Sequence, residues 1–191
     1  MKNLKIIIFI LTVFYYFCNN PFATRKPEPP SKERSTWLQP IYPERVIDNL
    51  KYSIQEGNLT NYKRCLTDSN SQFNFVPDDF VKTNYQGFFD NWNLSSEQNY
   101  MSNVFTATYD SLRRVTFTEK EVVMYSDSVM INVGYDLELH HNLSESYPSN
   151  ATGQAEFWLT QSSGEWFITR WLDCGEGEQP SWSSIKVSFG K

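Results

Sequence analysis

Asp136, Glu138 and His140 stand at every second position of one alternating run, with His141 next to them and Glu156 on the strand-like stretch that follows. Carboxylates and an imidazole so placed suit general acid–base chemistry or metal binding. Alternation limits both uses. Successive strand residues point to opposite faces, so His140 and His141 do not ligate one ion from a regular strand. The residues between them, Val129, Ile131, Val133, Tyr135, Leu137 and Leu139, are apolar and mark the core side. Asp136, Glu138 and His140 therefore belong to the other face, and a solvated strand surface is the plainer account of them. No Cys or His spacing suits zinc, and neither a glycine-rich phosphate loop nor a Gly-x-Ser-x-Gly elbow is present. The expectation is no metal, no cofactor and no catalytic residue assigned by motif.

The three cysteines divide by position. Lys2 and Lys5 precede the apolar run Ile6–Phe17, and Cys18 closes it. A charged start and a short apolar stretch are the marks of an export signal, and twelve residues fall short of the roughly 20 that span a bilayer. With Cys18 as the lipidated residue, residues 1–18 resemble a bacterial lipoprotein signal. Tyr16 and Phe17 stand where such signals carry small residues, so an uncleaved anchor and cleavage near Ala23 are the alternatives. Residues 19–42 are rich in proline and mixed charge and read as an extended tether, with Trp37 and Leu38 as the apolar residues able to dock back. Cys65 and Cys174 are either a disulfide or two free thiols. A bridge would close a loop of about a hundred residues, worth about 4–5 kcal/mol.

Residues 43–191 hold the elements that must position any site. Pro43–Gly57 reads as a helix, with Pro43 at its start, Glu44 in its first turn and Val46, Ile47, Leu50 and Ile54 on one stripe. Asn58–Thr67 reads as a second helix, Phe73–Pro77 as a short strand and Asp78–Phe89 as a loop with room for one helical turn. Ser95–Ala107 reads as a third helix, with Ser95 and Gln98 at capping-box spacing. From Arg113 the period becomes two, and the run from Val129 to Leu139 is the clearest strand. His141–Thr152 reads as a polar loop, and Trp182–Phe189 as a short terminal element.

Gly153–Cys174 reads as a hairpin turning at Ser163-Gly164. That register sets Leu159 opposite Ile168 and Phe157 opposite Arg170. Ala155, Phe157, Leu159, Trp166, Ile168 and Leu172 then face the core, and Trp158, Phe167 and Trp171 face away. An aromatic face of this kind suits a partner, either a second copy of the chain or another envelope protein. The tether or Trp182–Phe189 folding over it is the alternative. A net charge of −5 without a basic stripe excludes a nucleic-acid footprint.

Helices followed by strands imply an α+β domain, with three N-terminal helices on one face of a curved antiparallel sheet. The order of elements, the stretches NLTNYKRCL and FNFVP and the closing WFITRWLD resemble the NTF2-like cone fold. With CNNPFATRKPEPP upstream, the chain also resembles uncharacterised bacterial lipoproteins that carry such a domain. The resemblance implies a cone that in some members holds Asp or Glu bases and Tyr donors. Asp136, Glu138, His140, Glu156, Tyr62 and Tyr135 are the residues of those types here. The fold hosts isomerases, dehydratases and docking modules alike, so it does not settle function. The reading is an exported, membrane-anchored domain of the cell envelope with a ligand-binding or partner role. A cone enzyme of isomerase or dehydratase type and a purely structural dimerising subunit are the alternatives.

Overall fold

Proline at the first helical position and glycine just past the last delimit the first helix of the computed structural model, which describes residues 35–191 apart from 68, 70 and 71, with only the backbone at 119. The signal, Cys18 and the tether up to residue 34 lie outside the described residues. Helix α1 spans Pro43–Glu56, and Gly57 closes it at φ 66°, donating to Ile54 O. A side chain on Gly57 would strike the Arg113 guanidinium. Arg113 is buried and donates to the carbonyls of Ile54 and Thr108, tying the ends of two helices to the sheet.

Helix α2 (Leu59–Cys65) is capped by Asn58. Strand β1 (Asn74–Val76) follows, then helix α3 (Asp79–Asn84) within the stretch expected as a loop with room for one helical turn, with Asp78 accepting from Val81 N–H. Helix α4 covers Leu94–Ala107. Its cap is Asn93, which accepts from Ser95 and Ser96, and not the expected Ser95. Strands β2 (Thr108–Met124), β3 (Ser128–His141), β4 (Asn150–Ser162) and β5 (Glu165–Cys174) lead to helix α5 (Trp182–Phe189).

The sheet runs β1-β5-β4-β3-β2, antiparallel except for the β1–β5 pair. All six apolar residues of the β3 alternation are buried, as expected. The β4–β5 hairpin turns on Ser163 (φ 53°) and Gly164 (φ 86°), the positive pair of a two-residue hairpin loop. The architecture is α+β, with helices against one face of a curved sheet. It has more helices than the three expected, because α3 and α5 are helical too. The described core lies within one compact unit, Glu33–Lys191, so that span holds what folding requires.

One expectation is corrected, and the cysteines take the second of their two alternatives. Leu159 does pair with Ile168, but Phe157 pairs with Trp171 and Trp158 with Arg170. Thr169 is thus an extra residue, a bulge that reverses which face each later residue takes. Trp171 turns inward and is fully buried against Phe157 and Trp182, whereas Leu172 is only half-buried. Cys65 and Cys174 are both free. Leu66, next to Cys65, bridges to Ile168, and Cys174 lies six residues farther along β5. At strand rise that is about 20 Å, well beyond the roughly 7 Å a disulfide tolerates.

Candidate functional site

The sequence SWSSIKVSF makes a helix because Ser181 and Ser184 cap each other reciprocally, forming a capping box. Helical spacing then puts Trp182, Ile185, Lys186 and Phe189 on one side. All four are buried, so this side, lysine included, lies in the core. Sequence reading left this segment as a short element. The apolar stripe with a serine box before it was the available signal.

Lys186 reaches a carboxylate. Its ammonium is ion-paired with Glu97 of α4, both side chains being fully buried. Glu97 also accepts from Tyr62 Oη at 2.6 Å and from Trp92 Nε1 at 2.7 Å. Four rings surround the ammonium, with centroids at 4.1 Å (Phe75), 4.2 Å (Trp171), 4.8 Å (Tyr100) and 5.6 Å (Trp92). Ring faces are negative and attract a cation, more strongly where water is excluded. Burial lowers the Lys186 ammonium to about 8, although Glu97 opposes the shift. Burial and the Glu97 charge hold Tyr62 and Tyr100 well above the usual phenol range.

A second network fixes the start of α5. Asp173 Oδ1 accepts from Tyr135 Oη at 2.7 Å, and Oδ2 accepts from the N–H and the hydroxyl of Ser183, both at 2.6 Å. The Trp182 N–H donates to Tyr135 Oη at 2.8 Å. Asp78 donates its N–H to Ser183 Oγ at 3.0 Å and accepts from the Ser181 hydroxyl. Burial raises Asp173, against these hydrogen bonds. The bulge at Thr169 is what turns Asp173 inward, so one extra residue places both Trp171 and Asp173.

Of the residues singled out for chemistry, Tyr62 and Tyr135 are inside, in these two networks. Asp136, Glu138, His140 and Glu156 lie on the outer face. Glu138 Oε2 and His140 Nε2 are 3.9 Å apart and exposed. Glu156 accepts from Trp158 Nε1 at 2.6 Å. Among the described residues, no group of three or more His, Cys, Asp or Glu is placed to hold a metal ion. Glu97, Lys186 and Asp173 were missed. A carboxylate beside a tyrosine hydroxyl is acid–base equipment, and here Lys186 is ion-paired to it, with both side chains fully buried.

Outside, Trp158 is half-buried and stacks on Tyr125, with centroids 5.1 Å apart. Phe167 is also half-buried, but it lines a surface cleft of about 490 Å³ together with Trp37. The expected aromatic face therefore keeps Trp158 and Phe167 and loses Trp171 to the core.

Solved structures share this architecture at low identity. A candidate aromatic ring hydroxylase from Novosphingobium aromaticivorans is similar with a TM-score of 0.57 and 10% identity, over 77% of this chain and 96% of its own. An NTF2-like protein from Cytophaga hutchinsonii is similar with a TM-score of 0.52 and 12% identity, over 69% and 93%. A candidate scytalone dehydratase from N. aromaticivorans is similar with a TM-score of 0.54 and 9% identity, over 68% and 78%. No protein-family profile and no curated protein sequence matches the chain. The fold is NTF2-like.

Proposed function

We propose that this chain is an exported NTF2-like module, held at the cell envelope through lipid on Cys18, that binds a small ligand or a protein partner and does not use its cone for catalysis. The observation that carries the reading is the packed interior: α5 buries Trp182 and Lys186 in it, with Lys186 paired to the fully buried Glu97 carboxylate. The charged and apolar leader and the proline-rich tether support the address. A single acyl chain anchors weakly, so the diacylated form of a mature lipoprotein is what the tethering requires.

Two measurements test the two halves. Metabolic labelling with a fatty acid is expected in the parent and lost in Cys18→Ser; equal labelling, or none in the parent, removes the lipid anchor. Hydrogen exchange tests the seal. Backbone amides of α5 are expected to open only with the whole domain.

An isomerase- or dehydratase-type enzyme is the second reading, favoured by Glu97 beside Tyr62. It requires α5 to leave, so α5 amides exchanging well before the β3 amides would favour it over the sealed cone. The structural reading, a second copy docked over Trp158 and Phe167, is checked by light scattering of the parent beside Trp158→Ser.

A further inference from the structure

The surface cleft has walls of two chemical kinds. Trp37, ahead of α1, and Phe167 of β5 supply aromatic surface, and Lys63 and Arg64 of α2 supply positive charge. Its volume of about 490 Å³ lies in the ~300–1,000 Å³ range of small-molecule sites.

Arg64 is held in a defined pose. Its Cζ lies 3.7 Å from the Trp37 ring centroid, so the guanidinium is stacked on the indole. Its hydrogen bond among the described residues runs from Nη1–H to Asn61 Oδ1 at 3.4 Å. Most of the five N–H donors of a guanidinium are therefore unused. Neither Lys63 nor Arg64 joins an ion pair among the described residues. Among the described residues, the one carboxylate lining the cleft, that of Glu165, is engaged by the Gln39 amide. Among the described residues, the Trp37 indole N–H is buried without a hydrogen-bond partner, and buried donors in folded proteins are as a rule satisfied by protein, water or ligand.

We propose that this cleft binds a small molecule with an apolar, ring-bearing body and a carboxylate head. The body lies against Trp37 and Phe167. The head meets the free edge of the Arg64 guanidinium, whose planar fork matches a carboxylate in two parallel hydrogen bonds, with Lys63 adding charge. The inference deepens the ligand-binding part of the function proposed above and rests on it. It is independent of lipidation and of the sealed cone.

The test is calorimetric titration of the Glu33–Lys191 unit with naphthylacetate and with naphthylacetamide, which share a shape and differ in charge. Naphthylacetate is expected to bind saturably and at least about tenfold tighter than the amide, equivalent to about 1.4 kcal/mol. The preference should shrink as salt is added. It should vanish in Lys63→Gln/Arg64→Gln, whose melting should match the parent because both side chains are exposed. Should the double variant melt early, Lys63→Gln alone is expected to reduce the preference severalfold. Absence of saturable naphthylacetate binding up to about 10 mM, equal affinity for acid and amide, or a preference unchanged in the variants each overturns the proposal. Fatty-acid labelling at Cys18 and α5 exchange are unaffected by any of these results, so the two readings fail separately.

Discussion

Removing the Lys186 charge while keeping a side chain of similar length isolates what the buried ion pair does. Lys186→Met leaves the Glu97 carboxylate fully buried with only the Tyr62 and Trp92 donors. Breaking one side of such a pair costs about 3–5 kcal/mol. Glu97→Gln/Lys186→Met removes both charges and is expected to recover most of that loss, because apolar or neutral replacements of whole buried pairs are often neutral or stabilising. Urea unfolding of the parent, the two single variants and the double variant measures it. A double variant as unstable as Lys186→Met would mean that the ring cage needs the cation itself. This pair was illegible in the sequence for a plain reason. Glu97 and Lys186 each look like a solvated charge on a helix, and only the tertiary fold brings positions 89 residues apart together.

At the scale of elements, the alternation of β3 was fully readable because every residue of its inner face is apolar and nothing interrupts the period. Strand β5 shows the limit of the same reasoning. Phe167, Thr169 and Trp171 look like one uninterrupted outer face, and a bulge changes the count by one without changing composition. Deleting Thr169 removes the extra residue and leaves plain alternation in the native pairing, with Arg170 opposite Trp158 and outward, and Trp171 and Asp173 inward. The expected outcome is a protein that keeps its near-ultraviolet circular dichroism and its tryptophan emission. Loss of the near-ultraviolet signal with red-shifted tryptophan emission would show that Thr169 is not the extra residue and that its removal turns Trp171 outward. Helix boundaries were read well where a cap has a distinctive side chain, as at Pro43 and Gly57. They were misread at α4, where Asn93 and Ser95 are both good caps and only the backbone chooses between them.

For the whole molecule, stability on the alkaline side sums opposing proton linkages. Lys186 is held at about 8 in the folded state against an ordinary value of 10.5. Between those values the unfolded chain binds more protons, so this group makes stability rise with pH. Tyr62, Tyr100 and Tyr135 act in the opposite sense, since burial raises each above an ordinary value of 10.0, and the buried Cys65 thiol does the same from an ordinary value of 9.0. Unfolding lets them ionise, and stability falls once pH passes about 10. The expected profile climbs from about pH 8, levels near pH 9, where the Cys65 thiol begins to cancel the Lys186 gain, and drops steeply above about pH 10. Melting temperatures across that interval check it, and Glu97→Gln/Lys186→Met should keep the drop but lose the climb.

The parallel pairing of β1 with β5 has a consequence for the order of assembly. Phe75 packs on Trp171 and stands over the Lys186 ammonium, so three segments far apart in the chain meet at one point. That meeting point is complete only once residue 186 has been synthesised, and closing so long a loop is slow compared with forming the β3–β4 hairpin. The nascent polypeptide therefore carries its aromatic interior open, without its stabilising cation, while most of it is made. For the exported chain proposed above, that delay is useful. A polypeptide that locks last remains threadable longest, and passage through a narrow secretion channel demands an unlocked substrate.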